Sequence, residues 1–176
     1  MNLIFSEQQM LQYWKSRLGL AATYGTQPAS DLSALDRKLS DDIAVWYESL
    51  LATAPEGTVP DADFHSVARI KEICSGGVVI DLPADGRRLL SLRMEGWSRT
   101  LRNFAAPRSD ADRLQNDPLT RADTDDPVAV LHPRCVEVFG CGDNPVLAEL
   151  RMTCAPVGGG YELDARLLRD SELLLS

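Results

Sequence analysis

The sequence predicts an α+β fold, with N-terminal helices packed on a small, mainly antiparallel β-sheet and a C-terminal helix. Three observations predict it. Between Ser30 and Thr53 apolar residues recur at helical spacing: Leu32, Leu35, Leu39, Ile43, Trp46 and Leu50 lie 3, 4, 4, 3 and 4 positions apart. From Val78 to Thr100 the period changes to two, with Leu90, Leu92 and Met94 on one face and Ser91, Arg93 and Glu95 on the other. Near the end, Asp164 is placed to cap a final helix through Leu175, with Leu167, Leu168, Leu174 and Leu175 apolar.

Taken in order, Ser6 and Gln9 form a candidate capping box for a first helix. Leu11, Trp14 and Leu18 are its apolar stripe, and Gly19 suits a cap at positive φ. Leu20 to Pro28 reads as a loop. Within the long second helix, Ser40-Asp41-Asp42 are poor interior residues and good caps, so a break into two helices is expected there. Its stripe faces a core; a partner-binding coiled-coil seam is disfavoured because only about three heptads are present. Ala54-Pro55-Glu56-Gly57 stops the helix, and Thr58 to Asp63 reads as loop. A strand is expected from Ala68 to Cys74, preceded by a short helix near Asp63–Val67 and followed by a turn at Ser75-Gly76-Gly77.

Val78-Val79-Ile80 is expected to pair antiparallel with Leu89–Leu92 across the turn Leu82-Pro83-Ala84-Asp85-Gly86. Gly96 lets the chain bend, and Trp97 folds over the end of the sheet. Residues 103–126 form a long loop rich in proline and charge, of a kind that is either functional or disordered. Val128–Leu131, Cys135–Phe139 and Pro145–Cys154 read as strands. The last has Val146, Ala148, Leu150 and Met152 on one face. Pro156–Gly160 is a glycine turn. The expected organisation is one domain over 1–176: a helical part at 1–56, a β-rich part at 64–156 containing the loop, and a terminal helix at 161–176.

Composition bounds the function. The chain has 176 residues, 44% hydrophobic and 25% charged, ordinary values for a globular protein. A net charge of −8 opposes sequence-independent binding to nucleic acid, because phosphates are repelled by an acidic surface. The N-terminus lacks a basic region followed by an apolar core, and no apolar run approaches the length of a membrane span. No membrane association and a cytoplasmic location (or a virion, if phage-encoded) are therefore expected. Cys74, Cys135, Cys141 and Cys154 match no zinc spacing and are expected to be free thiols.

No catalytic or cofactor pattern is complete in the sequence. Gly158-Gly159-Gly160 lacks the lysine and hydroxyl of a phosphate loop. Asp123, Asp125 and Asp126 lack the glycine and distal glutamate of a calcium loop and read as a solvated turn. His65 and His132 are the only imidazoles; a hydrolytic pair of His132 with Cys135 has poor geometry across Pro133. No catalytic, metal or cofactor-binding residue is assigned, and no cofactor is expected. Arg87, Arg88, Arg93, Arg99 and Arg102 cluster around the central strands of an acidic protein. They either pair with the abundant aspartates or face an acidic partner.

Leu82-Pro83-Ala84-Asp85, Arg88-Leu89-Leu90, Gly96-Trp97, Asp126-Pro127-Val128 and Tyr161-Glu162-Leu163-Asp164 occur in an order that resembles the head–tail adaptor (neck or connector) proteins of tailed phages and prophages. The resemblance covers roughly positions 30 to 170 in layout. It implies a helical bundle carrying a small sheet, assembling as an oligomeric ring on a portal, without enzymatic activity or cofactor. The expected function is thus a non-enzymatic structural or assembly protein whose partners are proteins: itself, a portal-like ring, or both. Expected contact residues are Arg87, Arg88, Arg93, Trp97, Arg99, Arg113 and Arg121. The alternatives are a small ligand- or partner-binding module with its pocket beneath Trp97, and an unrecognised hydrolase using His132.

Overall fold

A computed structural model describes residues 2–20, 29–73 and 77–170 of the chain. Its described elements are, in order, β1 (Asn2–Phe5), α1 (Glu7–Arg17), α2 (Ala29–Thr53), β2 (Asp61–Asp63), β3 (Arg69–Ile73), β4 (Gly77–Asp81), β5 (Gly86–Met94), α3 (Asp110–Leu114), β6 (Val128–Leu131), β7 (Cys135–Phe139), β8 (Leu147–Cys154), β9 (Tyr161–Asp164) and α4 (Ala165–Asp170). The strands form three antiparallel sheets, ordered β1-β9, β2-β8-β5 and β3-β4-β7-β6. The fold is α+β and carries a C-terminal helix. The chain divides into two compact units, where a single domain with a helical part and a β-rich part was expected. Unit 1 comprises Met1–Asp61 and Thr153–Ser176, and unit 2 comprises Ala62–Met152.

Unit 1 holds α1, α2 and α4, with β1 and β9. Ser6 Oγ accepts the Gln9 N–H at 3.2 Å and Gln9 Oε1 accepts the Ser6 N–H at 2.9 Å, so the expected capping box is present. Gly19 follows α1 at φ +71°. The buried residues of α1 are Met10 and Trp14. α2 runs unbroken through Ser40-Asp41-Asp42, where a break was expected. Leu39 and Ile43, either side of that triplet, are fully buried. Each burial contributes roughly 2 kcal/mol, against a few tenths per residue for poor helix formers. The buried stripe of α2 is Leu39, Ile43, Tyr47 and Leu51; Trp46 and Leu50 lie at its margin.

β1 and β9, both absent from the expected elements, pair from Asn2↔Asp164 to Phe5↔Tyr161. β9 ends where Asp164 Oδ1 accepts the Arg166 N–H at 2.8 Å, the expected cap of the final helix. α4 is described as far as Asp170; the expected continuation to Leu175 lies outside the described residues, as do the loop at 21–28, Cys74 and the turn at Ser75-Gly76.

Unit 2 packs Val78, Ile80, Val136 and Val138 against Leu92, Met94, Leu150 and Met152 in one aliphatic core. Here the expected central hairpin fails. β4 exists, but it pairs on one side with β3 (Val79↔Lys71) and on the other with β7 (Val79↔Glu137). Both edges of β4 are therefore occupied, and β5 joins β8 in a different sheet. The Leu82–Asp85 stretch carries the chain from one sheet to the other. Leu82 donates its N–H to Arg134 O at 2.9 Å, and Gly86 donates to Pro83 O at 3.1 Å. Ser91, expected on a wet face, is 1% exposed and hydrogen-bonds the Glu149 carboxylate. Val146, expected in the last strand, precedes β8 and is exposed, while Leu147 is buried, so the expected face begins only at Ala148. No helix occupies 63–67: Val67 and Ala68 donate to Phe64 O as a turn. Thr58–Asp63 is not all loop, since it ends in β2.

Candidate functional site

The surface of interest begins where β5 ends. Gly96 takes φ +85° and Trp97 donates its N–H to Met94 O at 3.3 Å, reversing the chain. Leu101 then exchanges two backbone hydrogen bonds with Leu92, at 2.8 and 2.9 Å. Four residues on, Ala105 donates to Ala129 O at 2.8 Å and accepts from the Leu131 N–H at 2.9 Å, a parallel bridge to β6. Residues 99–105 thus run from the edge of β5 to the edge of β6. Beside them lies an open groove of about 470 Å³, with Leu101, Phe104, Pro127 and Val128 in its wall and Arg99 and Arg102 at its rim.

The excursion beyond Ala105 is ordered by contacts of its own. Ser109 caps α3, its Oγ accepting the Asp112 N–H at 3.4 Å. Gln115 is 3% exposed and acts as the plug of the loop. Its Nε2 donates to Ala111 O at 2.8 Å, its Oε1 accepts the Ala122 N–H at 2.9 Å, and its carbonyl accepts Arg121 Nε at 3.0 Å. Asp123 Oδ1 accepts the N–H groups of Asp125 and Asp126 at 2.9 and 2.8 Å, so this acidic triplet is a tight turn. The far end rests on Gly140, at φ +84°, where a Cβ would lie 2.1 Å from Asp123 O. Arg108 has φ +64°, the one non-glycine residue at positive φ among those described, and its N–H donates to Asp112 Oδ2 at 2.6 Å.

The expected contact residues are not brought together. Trp97 requires correction: it is 6% exposed, inside the core of unit 2, with Nε1 donating to Gly140 O at 2.8 Å. It is a structural pin rather than a contact or the roof of a pocket. Arg87 is exposed and anchored by Nη1 to Ala84 O at 2.8 Å, while Arg88 and Arg93 are half-buried along β5. Arg99 pairs with Asp126, both exposed. Arg113 lies 3.6 Å from Asp110 on α3. Arg121 is committed to Gln115, so it supports the loop more than it faces outward. Gln115 and Arg108 escaped the sequence. α3 stands inside the segment expected to be all loop; the Ser109/Asp112 spacing of a helix start could have pointed to it, but no local signal marks the burial of one glutamine.

The reactive side chains are committed elsewhere. Burial, then Glu137 and Asp81, push the Cys135 thiol up despite Lys71, the opposite of an activated nucleophile. His132 Nε2 stands 3.6 Å from Glu137 Oε2. Cys135, Cys141 and Cys154 are free thiols, and burial raises Cys141 to about 11. Burial raises the Asp63 carboxyl, but the N–H groups of Leu150 and His65 and the His65 ring outweigh it and hold the group below its ordinary value. Among the described residues no cluster of three metal-ligating side chains occurs, and no helix is long and apolar enough to cross a membrane. No family model, curated protein or solved structure matches the chain.

Proposed function

We propose that this protein is a non-enzymatic assembly component, the role that the resemblance to phage and prophage head–tail adaptors implies, and that it docks on other protein subunits through the 99–126 segment. The observation that carries the proposal is a charged, exposed excursion held in one conformation by the buried Gln115. A loop ordered before contact loses less conformational entropy on binding. Arg108 adds support. A non-glycine residue at positive φ costs about 1 kcal/mol, and such strain concentrates at functional positions. The segment carries Arg99, Arg102, Arg108 and Arg113 together with Asp110, Asp125 and Asp126, a composition suited to a subunit surface of mixed charge.

The test is co-sedimentation with the portal ring encoded in the same genome. The parent chain is expected to sediment with the ring, and Arg99→Glu/Arg102→Glu is expected to abolish this while leaving the far-ultraviolet circular dichroism unchanged. Arg108→Gly separates strain from structure: it should raise folding stability by about 1 kcal/mol yet weaken docking. A parent chain that stays in the supernatant at all protein concentrations defeats the proposal.

A further inference from the structure

A second cavity of about 470 Å³ lies in unit 2, between the connection from β4 to β5 and the turn from β6 to β7. Its floor is Met152, 2% exposed, and its walls are Leu82, Pro83 and Pro133. Arg87 and Arg134 line it as well. Both turns are closed by backbone hydrogen bonds, Gly86 to Pro83 O at 3.1 Å and His132 to Cys135 O at 2.9 Å. The bond from Leu82 to Arg134 O, at 2.9 Å, ties one turn to the other. Arg87 is held by Ala84 O at 2.8 Å. Arg134 is exposed and makes no ion pair or side-chain hydrogen bond among the described residues.

We propose that this cavity binds a carboxylate carried on a compact apolar body, and an aromatic monocarboxylate best of all. Its volume lies in the range of small-molecule sites, roughly 300–1,000 Å³. The planar fork of a guanidinium matches a carboxylate with two parallel hydrogen bonds. On a chain of net charge −8, an arginine without an acidic partner is an uncompensated site for such a group. The remaining surface offers prolines, a leucine and a thioether, and a methionine sulfur packs favourably on ring edges. The paired turns and their prolines hold the walls in place before a ligand arrives. Gly86 keeps the floor low. A Cβ there would stand 2.6 Å from Met152 Sδ and Cε and 3.1 Å from its Cβ, so the floor residue would have to shift.

Benzoate is the probe, followed by the Met152 methyl resonance and the amide resonances of residues 82–87 and 133–134. Inorganic phosphate controls for charge alone, and benzyl alcohol for the ring alone. Benzoate is expected to shift these resonances saturably and to bind more tightly than either control. Arg134→Gln should weaken it about tenfold, the worth of one charge-assisted pair. Gly86→Ala should abolish binding with the amide spectrum of the rest of unit 2 retained. Three results would overturn the proposal: no saturable shift at these residues, phosphate binding as tightly as benzoate, or an affinity indifferent to Arg134→Gln.

Discussion

Unit 1 sets the rings of Trp14, Tyr47 and Tyr161 among buried aliphatic side chains drawn from two separate stretches of the chain, whereas the core of unit 2 sets Trp97 among aliphatic side chains from one continuous run. In unit 1, Trp14 meets Trp46 edge-on at 5.3 Å and Tyr47 meets Tyr161 at 5.1 Å, and β1 needs β9 from the far end of the sequence. In unit 2 the strands are Val-, Leu- and Met-rich and interrupted by an excursion that carries its own polar plug. Both arginine-rimmed cavities are in unit 2. Unit 1 has open grooves too, along residues 4–8 and 158–160, but among the described residues no arginine lines them. The difference lies in the connections between the strands of unit 2, which present charge beside a groove.

The largest effects should come from the two buried tryptophans. Trp14→Ala and Trp97→Ala should each cost about 3–5 kcal/mol. The phenylalanine variants sharpen the comparison. Trp14 Nε1 has no hydrogen-bond partner among the described residues, whereas Trp97 Nε1 serves Gly140 O. Trp97→Phe should therefore cost about 1–3 kcal/mol more than Trp14→Phe. Urea unfolding would measure both, and equal costs would mean that Trp97 is held by packing alone.

An intermediate effect is expected inside unit 2. Gln115→Leu keeps the volume but leaves the Ala122 N–H and the Ala111 carbonyl unserved, at about 2 kcal/mol. Amide exchange should rise across 109–126 and stay unchanged in the helices of unit 1. Uniform acceleration over the chain would show that the plug supports more than its own loop.

The smallest effect is a matter of pH, and it differs between the units in its window. Burial raises Cys141, in unit 2, from 9.0 to about 11; burial, outweighing the hydrogen bond with the Glu162 backbone, raises Tyr47, in unit 1, from 10.0 to about 12. Each folded value lies above the unfolded one. The stabilisation is therefore whole below the unfolded value and is lost as pH rises through the folded one. Unit 2 should weaken first, between about pH 9 and 11, and unit 1 later, between about pH 10 and 12. Cys141→Ser should flatten the first window and Tyr47→Phe the second, read from exchange rates of each unit against pH. A single shared window, unaltered by either change, would contradict this assignment.

Local signals were legible in the sequence because their causes are local. The Ser6/Gln9 box, Gly19 at positive φ, the Leu39/Ile43 periodicity, the Asp164 cap and the strands at 128–131 and 135–139 each rest on neighbours within a few residues. Strand partnership does not. Val78-Val79-Ile80 reads as a strand whichever neighbour it takes, and only tertiary structure put β3 and β7 on its two edges and sent β5 to β8. β1 and β9 escaped for the same reason: a four-residue strand has no independent stability, and its partner lies at the other end of the chain. The candidate sites divide likewise. Which arginines exist was plain from the sequence. That Arg121 props a loop, that Trp97 is a pin, and that Arg134 shares a cavity with Arg87 follow from contacts between distant residues, which no local period records.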